Sequence, residues 1–222
     1  MLPRPARTPR IKICCIRSIE EAWMAIDQGA SAIGLVSAMP SEPGPIDEER
    51  IAEIAEAIPP GVTSVLLTCE TEAEAIIAQH RRCGTNAVQL VDRVELGAHN
   101  ALREGLPGIG IIQVVHVIGE DSLLMASAYA PHVDALLLDS GDLDQPTRRL
   151  GGTGRTHDWN ISARIVEAVD VPVWLAGGLT EDNVVEALAV VKPFGLDVCS
   201  GVRVDDRLDE IRVGTFIAKA TI

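Results

Sequence analysis

The chain has 222 residues, 47% of them hydrophobic, 23% charged and only 3% aromatic, so its core must be built mainly from Ala, Val, Ile and Leu. A formal net charge of -13 with a pI near 4.7 opposes nucleic acid and membrane surfaces as partners, and an anionic ligand must be held by helix N-termini and backbone amides rather than by the overall field. The length suits a single α/β domain and no apolar run reaches the ~18 residues of a membrane span; the basic opening MLPRPARTPR lacks an apolar segment behind it, so 1–9 reads as a flexible tail and 10–222 as the domain.

The first β-prone run, IKICCI, alternates so that Ile11, Ile13 and Cys15 face one way and Lys12 and Cys14 the other, which turns the two cysteines apart. A buried ammonium needs a partner or water, so the second face reads as part of a polar site. The helical pattern SIEEAWMAIDQG follows, then the strand SAIGLV, a long loop and the helix DEERIAEIAEAI. VTSVLL precedes TEAEAIIAQHRRCG, NAVQLV precedes a helix from about 92 to 104, and GIIQVVHV precedes EDSLLMASAYA. The last three strands are VDALLLD, VPVWLA and FGLDVC, with helices near 158–169, 180–191 and 207–219. Gly29, Gly84 and Gly105 stand where helices should stop.

Eight βα units in this length predict a closed (β/α)8 TIM barrel in one domain, with a doubly wound open sheet as the competitor. In a barrel the first and eighth strands are neighbours, and alternation points Asp197 inward beside Lys12, which predicts an ion pair. Barrel sites collect at the C-terminal strand ends. Those ends carry Cys14, Gln89, Asp139, Gly177 and Gly178 of LAGGLT, and Ser200 and Gly201 of CSGV. Glycine-rich turns after strands seven and eight suit a phosphate, since their backbone N–H groups can approach it closely. The long segment SGDLDQPTRRLGGTGRTHDW reads as a lid or binding element; Trp159 is assigned to the next helix, and His157 as a structural histidine or a ligand contact. Cys14 reads as an inert small residue or, near a cation, as a thiolate base, and Asp139 as a cap or an acid. The five cysteines, at 14, 15, 69, 83 and 199, have neither zinc spacing nor disulfide-scaffold density, which predicts reduced thiols in the cytoplasm.

Together KIC, NAVQL, LLLDS, GGTG..HDW, LAGGLT.DNV and LDVCSGV resemble, in order and over nearly the whole chain, the phosphoribosylanthranilate isomerase family of tryptophan biosynthesis. The resemblance implies an Amadori rearrangement, an intramolecular aldose-to-ketose isomerisation of an aminoaldose phosphate, without metal or organic cofactor. It implies Asp139 as general acid and Cys14 as general base. Lys12, Gln89, Gly152, Thr153, Gly177, Gly178, Asp197, Ser200 and Gly201 are the expected substrate and phosphate contacts. The implied partner is a small phosphosugar, with no nucleic acid or membrane, and the protein a monomer or homodimer. Three positions depart from the family pattern. Cys15 replaces the glycine of KICG, Gly44 stands in a loop after strand two that lacks the usual arginine, and Val91 takes the place of a histidine after VQL. Arg17, or an arginine of the loop after strand six, is the candidate to meet the aromatic carboxylate instead. A paralogue acting on another phosphosugar, or a noncatalytic phosphosugar-binding barrel, would share most of these residues.

Overall fold

In the computed structural model, residues 8–40, 44–141 and 156–221 are described. Strands β1 (Arg10–Ile13), β2 (Ala32–Val36), β3 (Thr63–Thr68), β4 (Ala87–Leu90), β5 (Gly110–His116), β6 (Ala135–Asp139), β7 (Val173–Leu175) and β8 (Gly195–Val198) form one closed parallel barrel in chain order. Helices α1 (Ile19–Asp27), α2 (Glu48–Ala57), α3 (Ala73–Cys83), α4 (Leu96–Gly105), α5 (Asp121–Tyr129), α6 (Trp159–Ala168), α7 (Val184–Val191) and α8 (Glu210–Ala220) follow the strands one by one. The barrel expected from the alternation is the observed fold, and the open sheet is ruled out because β8 pairs back onto β1.

Both faces of each strand are covered, which is why the strands read as near-continuous apolar runs. Outward residues such as Ile13, Leu35, Leu66, Leu90, Leu138 and Leu196 join the helices in one large cluster. Inward residues, among them Ala32, Val65, Leu67, Ile112, Val114, Leu137 and Trp174, fill the barrel as a second cluster. Local chemistry sets the helix starts. Ser18 accepts from Glu21 N at 3.2 Å ahead of α1, and Asp209 accepts from Arg212 N at 2.9 Å ahead of α8.

Four expected boundaries shift. β1 ends at Ile13 rather than running on to residue 16, and α4 begins at Leu96. α7 begins at Val184 because Thr180 N donates to Asn183 Oδ1 at 2.8 Å in a preceding turn. α8 begins at Glu210 because β9 (Arg203–Val204) and β10 (Arg207–Leu208) make a small hairpin, with Asp205 and Asp206 at φ 46° and 64° as its two turn residues. Gly84, at φ 67°, caps α3 as expected. Gly105 ends α4 as expected but without a positive φ, and because a Cβ there would collide with Ile77 of α3 it also permits close helix packing.

Candidate active site

Register makes the strand-one side of the site. Lys12 of β1 pairs with Asp197 of β8, and Nζ lies 2.9 Å from Oδ2 with both side chains buried, so the expected ion pair forms. The same Nζ reaches the Cys14 sulfur at 3.5 Å. Burial works against the ammonium, but Asp197 and then Cys14 outweigh it and hold the Lys12 pKa above the ordinary lysine value. Burial also lifts the Asp197 carboxyl above its ordinary range, with the Lys12 ammonium opposing and Asp139 adding slightly. Gly34 of β2 leaves the room: a Cβ there would stand 2.8 Å from Cys14 Sγ and 3.0 Å from Lys12 Nζ.

Cys15 corrects the alternation argument. It lies beyond β1 with φ 62°, in the left-handed region, and it joins Cys14 in the interior cluster instead of facing out with Ile11 and Ile13. The two side chains therefore share the barrel interior instead of pointing apart, with Cys199 packed against the same cluster. The Cys14 thiol is pushed below its ordinary value, chiefly by the Cys15 hydrogen bond and against burial, with Lys12 assisting. The Cys15 thiol is pushed well above it. Arg203, at the start of β9, donates to the Cys15 carbonyl and to Glu21 at 3.3 Å, tying the end of β8 to the end of β1.

Asp139 ends β6 and is half-buried. Its Oδ1 accepts from Ser140 N at 2.7 Å. Gly177, just past β7 at φ 83°, brings its backbone against this carboxylate, and an added Cβ would lie 3.0 Å from Ser140 N and 3.1 Å from Asp139 Oδ1. His157 stands nearby, accepting from or donating to Ser162 Oγ at 2.7 Å through Nε2. Burial pushes its pKa down, with the Asp139 and Asp158 carboxylates pulling the other way. Asp139 at the end of β6 and Cys14 just past β1 thus stand at the same, C-terminal, end of one closed barrel.

The two glycine turns come together. Gly177 and Gly178 both have positive φ, at 83° and 63°, and the turn Ser200–Val202 after β8 is a 3-10 helix. Gly201 packs directly under the Leu179 carbonyl, an approach closed to any side chain. Asn183 Nδ2 braces the first turn by donating to Gly178 O at 2.9 Å. Gly152 and Thr153 lie outside the described residues.

Gln89 is buried on β4 with Oε1 free of any protein partner, and Asp197 Oδ1 is likewise unpartnered. Val91 is buried in the interior cluster, and its carbonyl accepts from His116 Nε2 at 3.0 Å. Arg17 is turned to Asp206, at 2.6 Å. Trp159 opens α6 and packs on the outer cluster as expected. Gly34, Arg203, Ser140 and His116 are site residues that sequence reasoning missed. Gly34 and His116 sat in plain sight as inward positions of strands, had alternation been followed through β2 and β5. Among the described residues, no group of three or more His, Cys, Asp or Glu could hold a metal ion, and no helix is long and apolar enough to cross a membrane.

The family profile described as N-(5'phosphoribosyl)anthranilate (PRA) isomerase matches residues 11–218. An N-(5'-phosphoribosyl)anthranilate isomerase 2 of Methanosarcina mazei is 38% identical over 213 residues, covering 95% of this chain and 93% of that protein. The crystal structure of phosphoribosyl anthranilate isomerase from Thermotoga maritima superposes with a TM-score of 0.82 at 30% identity, covering 96% of this chain and 98% of that one. A further phosphoribosyl anthranilate isomerase structure, in complex with reduced 1-(o-carboxyphenylamino)-1-deoxyribulose 5-phosphate, has a TM-score of 0.79 at 29% identity, with 96% and 98% covered. A barrel of this topology, with thiol, carboxylate and two glycine turns at one end and relatives of this kind along its full length, belongs to the N-(5'-phosphoribosyl)anthranilate isomerase family.

Proposed function

We propose that the chain isomerises N-(5'-phosphoribosyl)anthranilate to the corresponding 1-deoxyketose phosphate, with Asp139 as general acid and Cys14 as general base. The observation that carries the assignment of roles is the Lys12 ammonium 3.5 Å from the Cys14 sulfur, since it favours the thiolate a base requires. Asp139 gives its proton to the furanose ring oxygen, the C1–O bond breaks, and the aminal opens to a protonated Schiff base. The Cys14 thiolate removes the C2 proton, and the electron pair moves to form an enolamine. The enolamine regains a proton at C1 and loses one from the C2 hydroxyl, leaving the ketone.

The phosphate is held by backbone N–H groups of the Gly177–Gly178 and Ser200–Gly201 turns, which suits a chain whose net charge of -13 would repel it elsewhere. Asp197 Oδ1 and Gln89 Oε1, both lacking protein partners, are acceptors for sugar hydroxyls. Gly152 and Thr153 complete the binding set by resemblance alone. No resident cofactor takes part in these steps. The chain works in the cytoplasm on a free small molecule, as a monomer or homodimer.

A second reading is favoured by one feature: no arginine occurs in the segment 37–45, and Arg17 is already committed to Asp206, so the aromatic carboxylate has fewer cations to meet it. On that reading the substrate is another phosphosugar. Loss of the substrate's fluorescence on adding enzyme to freshly made phosphoribosylanthranilate separates the two. Cys14→Ala and Asp139→Asn should each lower turnover by about 10²–10⁴-fold. Undiminished turnover in either variant removes its role, and untouched substrate favours the second reading.

A further inference from the structure

Past the end of β1 the chain turns through Cys15, whose φ of 62° is a conformation that glycine adopts freely and that a side chain resists. Whatever holds that turn also sets where the preceding residue, Cys14, carries its sulfur. Cys14 N donates to Val198 O at the end of β8 at 2.9 Å, and Ile16 N donates to Gly34 O of β2 at 3.1 Å, so strands fix the backbone on either side of Cys15. The Cys15 carbonyl is fixed by a side chain instead, the Arg203 guanidinium.

Arg203 is buried at the start of β9 and is itself held. Its Nη1 donates to Glu21 Oε1 at 3.3 Å and to the Asp206 carbonyl at 3.1 Å, and its Nη2 donates to Glu21 Oε2 at 3.3 Å. Glu21, on α1, also accepts from Arg17 N at 3.0 Å and from Leu208 N at 3.3 Å. One carboxylate thus joins the segment leaving β1, helix α1 and the hairpin, with the guanidinium aimed back at the turn. A rigid planar fork serves a carboxylate and a carbonyl together, a geometry that an ammonium does not reproduce. The facing strand and loop leave the turn no slack: a Cβ on Gly44 would meet Cys15 Cβ at 2.7 Å, and one on Gly34 would meet Cys14 Cα at 3.1 Å.

We propose that Arg203, anchored by Glu21, is a positioning residue for the base: by holding the Cys15 carbonyl it keeps the left-handed turn, and so keeps the Cys14 sulfur within reach of Lys12 and of the sugar C2. This rests on the reading of Cys14 as general base. A glycine would make the turn unaided; this chain carries a side chain there and supplies the restraint from 188 residues away.

Arg203 also directly follows the Ser200–Val202 turn, so the competing role is to brace the phosphate cradle, and the two roles leave different signatures. The test places Arg203→Met, Arg203→Lys and Glu21→Gln in the wild-type chain and in Cys15→Gly, and reads kcat and KM for phosphoribosylanthranilate together with the rate of Cys14 alkylation by iodoacetamide, located by peptide fragmentation. Arg203→Met should lower kcat by about 10²-fold, the scale of a reacting group displaced by about 1 Å, with KM held within about twofold. Arg203→Lys should recover part of that loss, and Glu21→Gln should show the same signature at smaller size. In the Cys15→Gly background, where the turn carries no strain, Arg203→Met should lower kcat by less than about tenfold. A kcat loss of equal size in both backgrounds, or a raised KM with kcat unchanged, would overturn the proposal. If Arg203→Met does not fold, Glu21→Gln carries the same comparison between backgrounds. Alkylation does not depend on turnover: it should slow by about tenfold at pH 7 in Arg203→Met, as the sulfur parts from the ammonium that favours its thiolate. Full activity in Cys14→Ala would defeat the base reading, whereas an unchanged alkylation rate in Arg203→Met would defeat the positioning role alone.

Discussion

The strand-one and strand-six sides of the barrel mouth carry the two candidate catalytic groups, Cys14 and Asp139, and they are built differently. Cys14 is enclosed: an ammonium, a carboxylate one strand away and the bare face of Gly34 surround it. Asp139 is half-buried, and its Oδ1 accepts from the amide and the hydroxyl of the next residue at 2.7 and 3.4 Å. On the proposed roles, a base that must lose its proton near neutrality needs a charge environment made for it, whereas an acid that must be reloaded each cycle needs contact with solvent. The asymmetry of the walls matches that division of labour.

The largest test of this contrast is Lys12→Met, which leaves Asp197 buried and uncompensated. It should cost about 3–5 kcal/mol in urea unfolding at pH 7, whereas Asp139→Asn on the looser side should cost no more than about 1 kcal/mol. Adding Asp197→Leu to Lys12→Met should restore most of the stability and none of the turnover. Equal costs for the two single variants would break the comparison.

Next come the two glycines. Gly34→Ala drives a methyl toward the Cys14 sulfur and should lower kcat by about 10²-fold, the scale of a displaced reacting group. Gly177→Ala strains a turn at φ 83° beside the phosphate loop and should raise KM by about tenfold with a smaller change in kcat. Steady-state kinetics on both variants sharpens the division between base wall and anion wall.

The smallest effect concerns pH. His157, beside Asp139, has its pKa lowered by burial, as do His80 and His99 on the helical side of the barrel. A histidine whose folded value lies below its unfolded one gives stability that is fully present above the unfolded value and is lost as pH falls through the folded one. Urea midpoints should therefore hold steady above about pH 7 and decline below about 6.5. His157→Phe should flatten part of that decline, and an unchanged slope would show that the strand-six side stays open enough to hydrate a protonated ring.

Much of this was written in the chain plainly. Period-two alternation in LLLD, VWL and GLDV, spaced by Ala-rich helices, specifies eight strands, and the same alternation pairs Lys12 with Asp197 across 185 residues. Alternation fails where a residue leaves the strand. Cys15 belongs to a β-prone run, and nothing in its neighbours announces a left-handed turn, because the compensating glycine sits at position 44 and the bracing arginine at 203. The hairpin at 203–208 was hidden for a related reason: VDDR carries no glycine, and two aspartates adopt the positive φ that the turn requires. Gly105 ends α4 as its position promises, but its second service, admitting Ile77 of the neighbouring helix, has no local sign.

The seam between β1 and β8 also bears on how the molecule comes into being. Lys12 is made 185 residues before its counter-ion, so the seam can close only after Asp197 has been added to the chain. Loop closure of that span comes late, and until the final strand docks the nascent barrel has an open edge and an unmatched cation beside the Cys14 sulfur. Closing the barrel and completing the Lys12–Asp197 pair are thus one event.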